Sequence, residues 1–232
     1  MIDEFPKPPE ALLTQVAHDL RPVKPAPKPS RLVLWALPAA ASISSVILIV
    51  LGLRRDGSSL GPLLTWGGSI LQFSLAILLV WIAARESTPS HRLPKFAIYF
   101  AVIATALFVI ALGLSTFAVS PTTLPAGHSP WLAGAVCGGG GTIAGIFLVI
   151  LFARLFRHSL SPYPAVAGAI YGTGAGVAVN SGWRLACPIS TPSHSLGAHG
   201  TAILVTALGG AVAAHLLARR TRSSRHATTS TG

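Results

Sequence analysis

The sequence predicts an all-α membrane protein: a six-transmembrane-helix bundle preceded by a cytoplasmic amphipathic helix. Three observations predict this fold. Of the 232 residues, 51% are hydrophobic and only 10% are charged, which gives a mean hydropathy of +0.64. Six long segments contain no Asp, Glu, Lys or Arg, and each is close to the roughly 20 residues that a helix needs to cross the hydrocarbon core of a bilayer. Lysine and arginine residues concentrate in alternate connections between these segments.

The six predicted spans cover about 32–53, 63–84, 96–119, 131–153, 164–182 and 196–217. The fourth contains the run CGGGG, and the fifth is rich in glycine and alanine and is the least hydrophobic. The first resembles a signal peptide in its apolar character. However, about 31 polar, proline-rich residues precede it, so we interpret it as an uncleaved anchor.

Charge distribution predicts the orientation. Fourteen of the 17 lysine and arginine residues fall on one side of the predicted bundle, and only Arg54, Arg55 and Arg184 fall on the other. Positive residues mark the cytoplasmic side, so both termini are predicted to be cytoplasmic. The formal charge of +11 then reflects topology, and no direct contact with nucleic acid is expected. Trp183 beside Arg184 is typical of an interfacial anchor.

The arm formed by residues 1–31 is predicted to contain one short helix at about 10–20. Leu12, Leu13, Val16 and Leu20 recur at helical spacing and form an apolar face. Such a short helix is marginal alone, so it is expected to become ordered by docking on a protein or on membrane lipid. The proline-rich residues that follow favour an extended spacer. A disordered tail lying on lipid headgroups is the alternative.

Glycines at four-residue spacing predict close helix packing. Gly168, Gly172 and Gly176 share one stripe, and Gly141 and Gly145 repeat the spacing. After the last span, residues 218–232 are basic and then rich in Ser and Thr, which predicts a disordered cytoplasmic tail.

The sequence lacks features that ion-coupled transporters and enzymes need, so these two function classes lose support. All six acidic residues lie in the arm or the loops, whereas ion-coupled transporters need an ionisable group within the bilayer. A permease for small molecules or metals remains the alternative function. No motif of a nucleophile, an acid–base pair or a nucleotide-binding loop is present, so no enzymatic activity and no cofactor are predicted.

The two cysteines are predicted to share one membrane face. Cys137 lies about 9 Å along the fourth span, and Cys187 lies in the loop before the sixth. Two such thiols on an oxidising face can form a disulfide or act as a redox or soft-metal switch. His194, His199 and His128 belong to the same face and are candidate partners in a thiolate and imidazole metal site. The alternative is that each cysteine serves as a small hydrophobic residue.

Two stretches resemble a known family. DLRPV at 19–23, a proline-rich spacer, six spans, and GWRLACPISTPSHSLGAHG at 182–200 are together similar to the negative regulators of sigma F, which are bacterial membrane anti-sigma factors. The resemblance implies an inner-membrane protein that holds an extracytoplasmic-function (ECF) sigma factor inactive and releases it under heavy-metal or oxidative stress. It implies that Cys137 and Cys187 sense the signal.

The resemblance also implies that the arm contacts the sigma factor, through Leu12, Leu13, Val16, Asp19, Leu20, Arg21, Pro22 and Val23. In this hypothesis the leucines and valine fill a groove of the sigma factor, while Asp19 and Arg21 supply polar contacts at its rim. The sequence sets no oligomeric state.

Overall fold

The computed structural model describes residues 9–19, 28–88, 92–123, 129–157 and 161–229, and these residues form helices and connections without a strand. The helices are α1 (Glu10–Asp19), α2 (Pro29–Leu51), α3 (Gly57–Pro62), α4 (Gly68–Glu86), α5 (Lys95–Val119), α6 (Pro130–Leu155), α7 (Pro164–Ala186) and α8 (Gly200–Thr229). A first π-helical segment, Leu63–Gly67, joins α3 to α4, and a second, Ser193–His199, leads into α8.

Among the described residues, five helical stretches are long and apolar enough to cross a membrane. They are Pro29–Leu51, Gly57–Glu86, Lys95–Val119, Trp131–Leu155 and Ser193–Arg220. The fifth predicted span, 164–182, does form a helix, since α7 is 23 residues long, but it is not among these five stretches. Length and apolarity therefore account for five spans, not six.

Helix α7 occupies the centre of the bundle. Sixteen of its 23 residues are buried, so most of its surface faces other helices. It runs antiparallel to α8, because Gly168 lies against Gly210 and Gly176 lies against Ile203. It also runs antiparallel to α4 and α6, and parallel to α2. A helix covered on several sides by neighbours does not need the apolar surface that lipid contact demands.

The predicted glycine stripe is the contact surface between α7 and α8. A methyl group on Gly168 would collide with the backbone carbonyl of Gly210, and one on Gly172 would collide with that of Thr206. Absence of side chains thus lets the two backbones touch. Gly145 of α6 meets the Thr206 side chain in the same way. The packing role predicted for these glycines is confirmed.

A polar network joins three connections at one end of the bundle, which we call the cysteine end. Arg54 donates two hydrogen bonds of 2.7 Å to the carboxylate of Asp56. Asp56 also accepts hydrogen bonds from Ser120 (3.1 Å) and Thr122 (3.0 Å). The Ser190 hydroxyl accepts from the Thr122 amide (2.8 Å) and donates to the Ser120 carbonyl (2.5 Å). The loop that follows Cys187 is therefore fastened to the loops after α2 and α5.

Charge and hydrogen bonding decide the ionisation of Asp56. Its partial burial alone would raise the pKa of the carboxyl. The hydrogen bonds and positive charge of Arg54, with the hydroxyls of Thr122 and Ser120, outweigh burial and hold that pKa below its usual value.

Arg184 and Trp183 do not act as the interfacial anchor that the sequence predicted. The Arg184 guanidinium turns inward and donates to a backbone carbonyl of the first π-helical segment (2.6 Å) and to the Thr116 hydroxyl (2.7 Å). Trp183 is buried and lies where a side chain on Gly140 would clash. The irregular hydrogen bonding of a π-helical turn leaves carbonyls available as acceptors. Arg184 donates a hydrogen bond to one of them.

At the two ends of the chain the structure differs in extent from the predictions. Helix α1 ends at Asp19, and Leu20 to Val23 lie outside the described residues. The sequence predicted a disordered tail from residue 218, and the structure instead continues α8 to Thr229. Arginine and alanine favour helix, and basic residues near a helix carboxyl end interact well with its dipole.

Substituting Gly172 with alanine should destabilise the bundle. The new methyl group would meet the Thr206 carbonyl, and overpacking of this kind costs about 1–3 kcal/mol. We expect the melting temperature in detergent, followed by tryptophan fluorescence, to fall by several degrees. Gly134→Ala is the matched control, because open space surrounds Gly134 and alanine is the better helix former by ~1 kcal/mol. Equal losses in both variants would contradict the packing role.

Asp56→Asn should destabilise the cysteine end, because Arg54, only 7% exposed, loses its charged partner. Breaking a buried ion pair from one side costs about 3 kcal/mol. Since the folded pKa of Asp56 is lowered, its contribution is complete above about pH 4 and is lost as the pH falls through the folded pKa. Melting curves should therefore separate wild type from the variant at pH 6 and converge at lower pH.

The control for this prediction removes both charges. Arg54→Met combined with Asp56→Leu should cost less than Asp56→Asn alone, because neither charge is then left buried without a partner. A variant Asp56→Asn that melts like wild type at pH 6 would show that the ion pair does not stabilise this end.

Candidate functional site

Two cysteines from different parts of the chain meet at the cysteine end. Cys137 lies in the second turn of α6, and Cys187 follows the last residue of α7. Their Sγ atoms are 3.6 Å apart and both thiols are free. Antiparallel packing of α6 against α7 produces this approach, because the start of one helix lies beside the end of the other. The structure thus brings together the two thiols that the sequence placed on one face.

Two histidines complete the cluster, and the second π-helical segment presents both. His194 Nε2 lies 3.3 Å from Cys187 Sγ. The rings of His194 and His199 are 5.3 Å apart at 72°. In an α-helix a residue five positions further on points about 140° away, whereas the i to i+5 bonding of a π-helix places both on nearly one side. The π-helical turn is therefore the reason that both rings reach the thiols.

The four side chains form one compact set of donor atoms. One ligand atom from each of Cys137, Cys187, His194 and His199 lies within 4.8 Å of every other. His194 and His199 are buried, and Cys137 is partly buried. Thiolate and imidazole are the donors preferred by zinc and similar soft cations. His128, the remaining predicted partner, lies outside the described residues.

The buried thiol of Cys187 has a shifted pKa. The hydrogen bond with Cys137, together with burial, raises the pKa of the Cys187 thiol. A neutral thiol is a poor nucleophile and a poor ligand. Burial and this hydrogen bond therefore favour the protonated form of Cys187.

Asn180 is a supporting residue that the sequence interpretation missed. Its Oδ1 is 2.8 Å from His199 Nδ1, a distance that suits donation by the Nδ1–H group. That hydrogen bond leaves the Nε2 lone pair of His199 free for a ligand. The signal was present in the sequence, since Asn180 is the single asparagine of the chain and stands within a segment of glycine, alanine and valine.

A groove leads from the surface of the bundle to the cluster. It has a volume of about 740 Å³ and runs between α6 and the second π-helical segment. Its wall includes Trp131, Gly138, Gly139, Thr191, His194 and Ala198. Glycines on the α6 side keep the passage open, so a small ion or oxidant can approach His194 from outside.

The residues predicted to contact a sigma factor are placed separately, in and after α1. Leu12 and Leu13 are each 51% exposed. Val16 and Asp19 belong to α1, and their side chains are not described. The remainder of the segment, 20–23, lies outside the described residues.

Comparison with known proteins covers the cluster and the second half of the arm, from residue 16 onward. The family described as negative regulator of sigma F matches residues 16–219, which is most of the chain. No curated protein and no solved structure matches the chain. The matched range contains all four residues of the cluster and the DLRPV stretch that first suggested the resemblance. The chain therefore belongs to the family of negative regulators of sigma F and is a regulator of a sigma factor.

Proposed function

We propose that the protein is an inner-membrane anti-sigma factor that sequesters an ECF sigma factor through its cytoplasmic arm and releases it under metal or oxidative stress. The observation that carries the proposal is the pairing of Cys137 with Cys187 at 3.6 Å in a chain that belongs to a family of sigma regulators. Holding the sigma factor at the membrane keeps it from RNA polymerase. The protein itself needs neither catalysis nor contact with DNA for this role.

Exposure of the α1 leucines supports the sequestration step. Leu12 and Leu13 present apolar surface that the described residues do not cover. An amphipathic helix of this kind binds by laying its apolar face in a groove of its partner. In the sequence, Leu20 and Val16 extend the same face by helical spacing, and Asp19 and Arg21, followed by Pro22 and Val23, are the residues proposed to contact the rim of the groove.

The proposed topology has six spans and both termini in the cytoplasm. In this topology the arm can reach a cytoplasmic sigma factor. Contacts of α7 with its neighbours extend from Gly168 to Arg184, a rise of about 24 Å, which is close to the hydrocarbon thickness. Burial removes the need for a strongly apolar surface on that helix. With α7 as a span, the positively charged connections and both termini fall on the cytoplasmic side, and the cysteine end faces outward.

Signal reception is assigned to the thiol pair. A two-electron oxidant would take two electrons from Cys137 and Cys187 while two protons leave, which forms one disulfide. A soft divalent cation would instead displace the two protons and bind both sulfurs. The disulfide would draw α6 and the loop after α7 together, whereas a bound cation would fix them near their present separation of 3.6 Å between sulfurs. The start of α8 follows that loop directly, so a change at the cysteine end can shift packed helices that continue to the cytoplasmic side.

Leu13→Asp should release the sigma factor without affecting membrane insertion. A charge in the centre of the apolar face should cost about 2 kcal/mol or more, a loss of roughly 30-fold in affinity. We expect the sigma factor to be lost from the solubilised complex and its target promoter to be active without inducer. Leu20→Asp should act in the same way. The matched control is Ala11→Asp, which adds the same charge to an exposed residue of the opposite face.

Two results would contradict the arm assignment. One is retention of the sigma factor by the Leu13→Asp protein. The other is a fusion reporter that places the amino terminus in the periplasm, where no sigma factor is present.

Serine in place of Cys137 or Cys187 should abolish induction. Without both thiols neither a disulfide nor a dithiolate complex can form, so target-promoter activity under cadmium or oxidant should stay at the uninduced level while sigma capture is unchanged. Ala135→Ser, which adds a hydroxyl to an exposed residue of α6, is the control and should respond like wild type. Normal induction in both cysteine variants would remove the sensing role and leave sequestration standing.

A further inference from the structure

We propose that Cys137, Cys187, His194 and His199 form a tetrahedral binding site for a soft divalent cation of the zinc and cadmium class. The proposal rests on the sensing role assigned to the thiols above and adds to it two protein ligands, a coordination geometry and a ligand class. It assigns the second π-helical segment as the element that builds the site.

Two of the six distances between donor atoms are close to the edges of a coordination tetrahedron, and all six are within 4.8 Å. With zinc–sulfur bonds of about 2.3 Å, two sulfurs of a tetrahedral site lie roughly 3.8 Å apart, and a sulfur and a nitrogen roughly 3.6 Å apart. The observed Sγ–Sγ distance is 3.6 Å, and the Cys187 Sγ to His194 Nε2 distance is 3.3 Å. A disulfide would require the sulfurs to close to about 2.05 Å. Little movement is therefore needed to accept a cation, whereas a disulfide needs a considerable one.

Charge balance also suits a cation. Loss of two thiol protons gives two thiolates, and a divalent ion with two neutral imidazoles makes the complex neutral overall. A neutral complex suits buried ligands, because an uncompensated charge in such surroundings is costly.

The hydrogen bond from His199 to Asn180 supplies the outer support that a metal-binding histidine requires. Donation from Nδ1 to Asn180 Oδ1 (2.8 Å) fixes the ring and leaves Nε2 as the ligand atom. Asn180 is on α7, about two turns before Cys187. One helix therefore positions both a ligand and the support of another ligand.

The proposed site is reached through the groove, and it depends on the register of the second π-helical segment. The groove between α6 and the second π-helical segment opens at His194, which gives an ion an entry path. Both histidines are available only while 193–199 keeps its π-helical register, because an α-helical turn would direct one ring away. The site is thus tied to the conformation of the segment from which α8 starts.

The test uses the full-length protein, solubilised in detergent with its thiols reduced, and titrated with Cd²⁺ and Zn²⁺. We expect one equivalent of cation per chain and, for Cd²⁺, an ultraviolet absorption band from thiolate-to-metal charge transfer. The combined change His194→Ala and His199→Ala should weaken affinity by tenfold or more, and Asn180→Ala should weaken it by about 10–100-fold. His215→Ala, at an exposed position in the middle of α8, is the control and should bind like wild type.

A rescue variant separates ligation from a merely structural role. His194→Cys offers another soft donor at the same position and should retain Cd²⁺ binding, whereas His194→Ala should not. Wild-type affinity in the double alanine variant, or absence of cation binding to the wild-type protein, would overturn the proposal.

The outcome is distinguishable from failure of the proposed function. If no cation binds while the cysteine variants still lose induction, the metal site is wrong and thiol sensing stands. If one cation binds through all four ligands while Leu13→Asp retains the sigma factor, the metal site stands and the arm assignment fails.

Discussion

Backbone contact between α7 and α8 is the constraint on which the rest of the structure depends. Gly168, Gly172 and Gly210 have no side chains, so the two helices approach until carbonyl groups and Cα atoms touch. The same small residues that permit this approach make α7 too weakly apolar to stand among the membrane-crossing candidates. The helix is instead buried by its neighbours, and its position aligns Cys187 with the start of α6.

Two π-helical turns at the cysteine end orient the polar groups of the candidate site. In the first, backbone carbonyls accept hydrogen bonds from the inward-facing guanidinium of Arg184. These bonds connect the junction of α3 and α4 to α7. The second directs His194 and His199 toward the thiols. Irregular helical turns are frequent at functional sites because they aim side chains that a regular helix would separate. Here both turns lie within the layer of the bundle that contains the cysteines.

A polar network joins three connections in this layer. It is formed by Arg54, Asp56, Ser120, Thr122 and Ser190. It restrains the loop that begins with Cys187, so the thiol–thiol distance is set by fixed connections and not by a free loop. The exposed leucines of α1 lie in a different part of the chain, near its amino terminus.

The sequence by itself determined the helical membrane class, the positions of five apolar spans, the short arm helix and the packing role of the glycines, because each depends on local composition or on spacing along one helix. It also indicated that Cys137 and Cys187 share a face and that His194 and His199 lie near them. Only the tertiary structure decided the central burial of α7, the inward turn of Arg184, the 3.6 Å approach of the thiols and the support of His199 by Asn180. These features arise from contacts between residues far apart in the chain and from a π-helical register, and neither leaves a periodic pattern in the sequence.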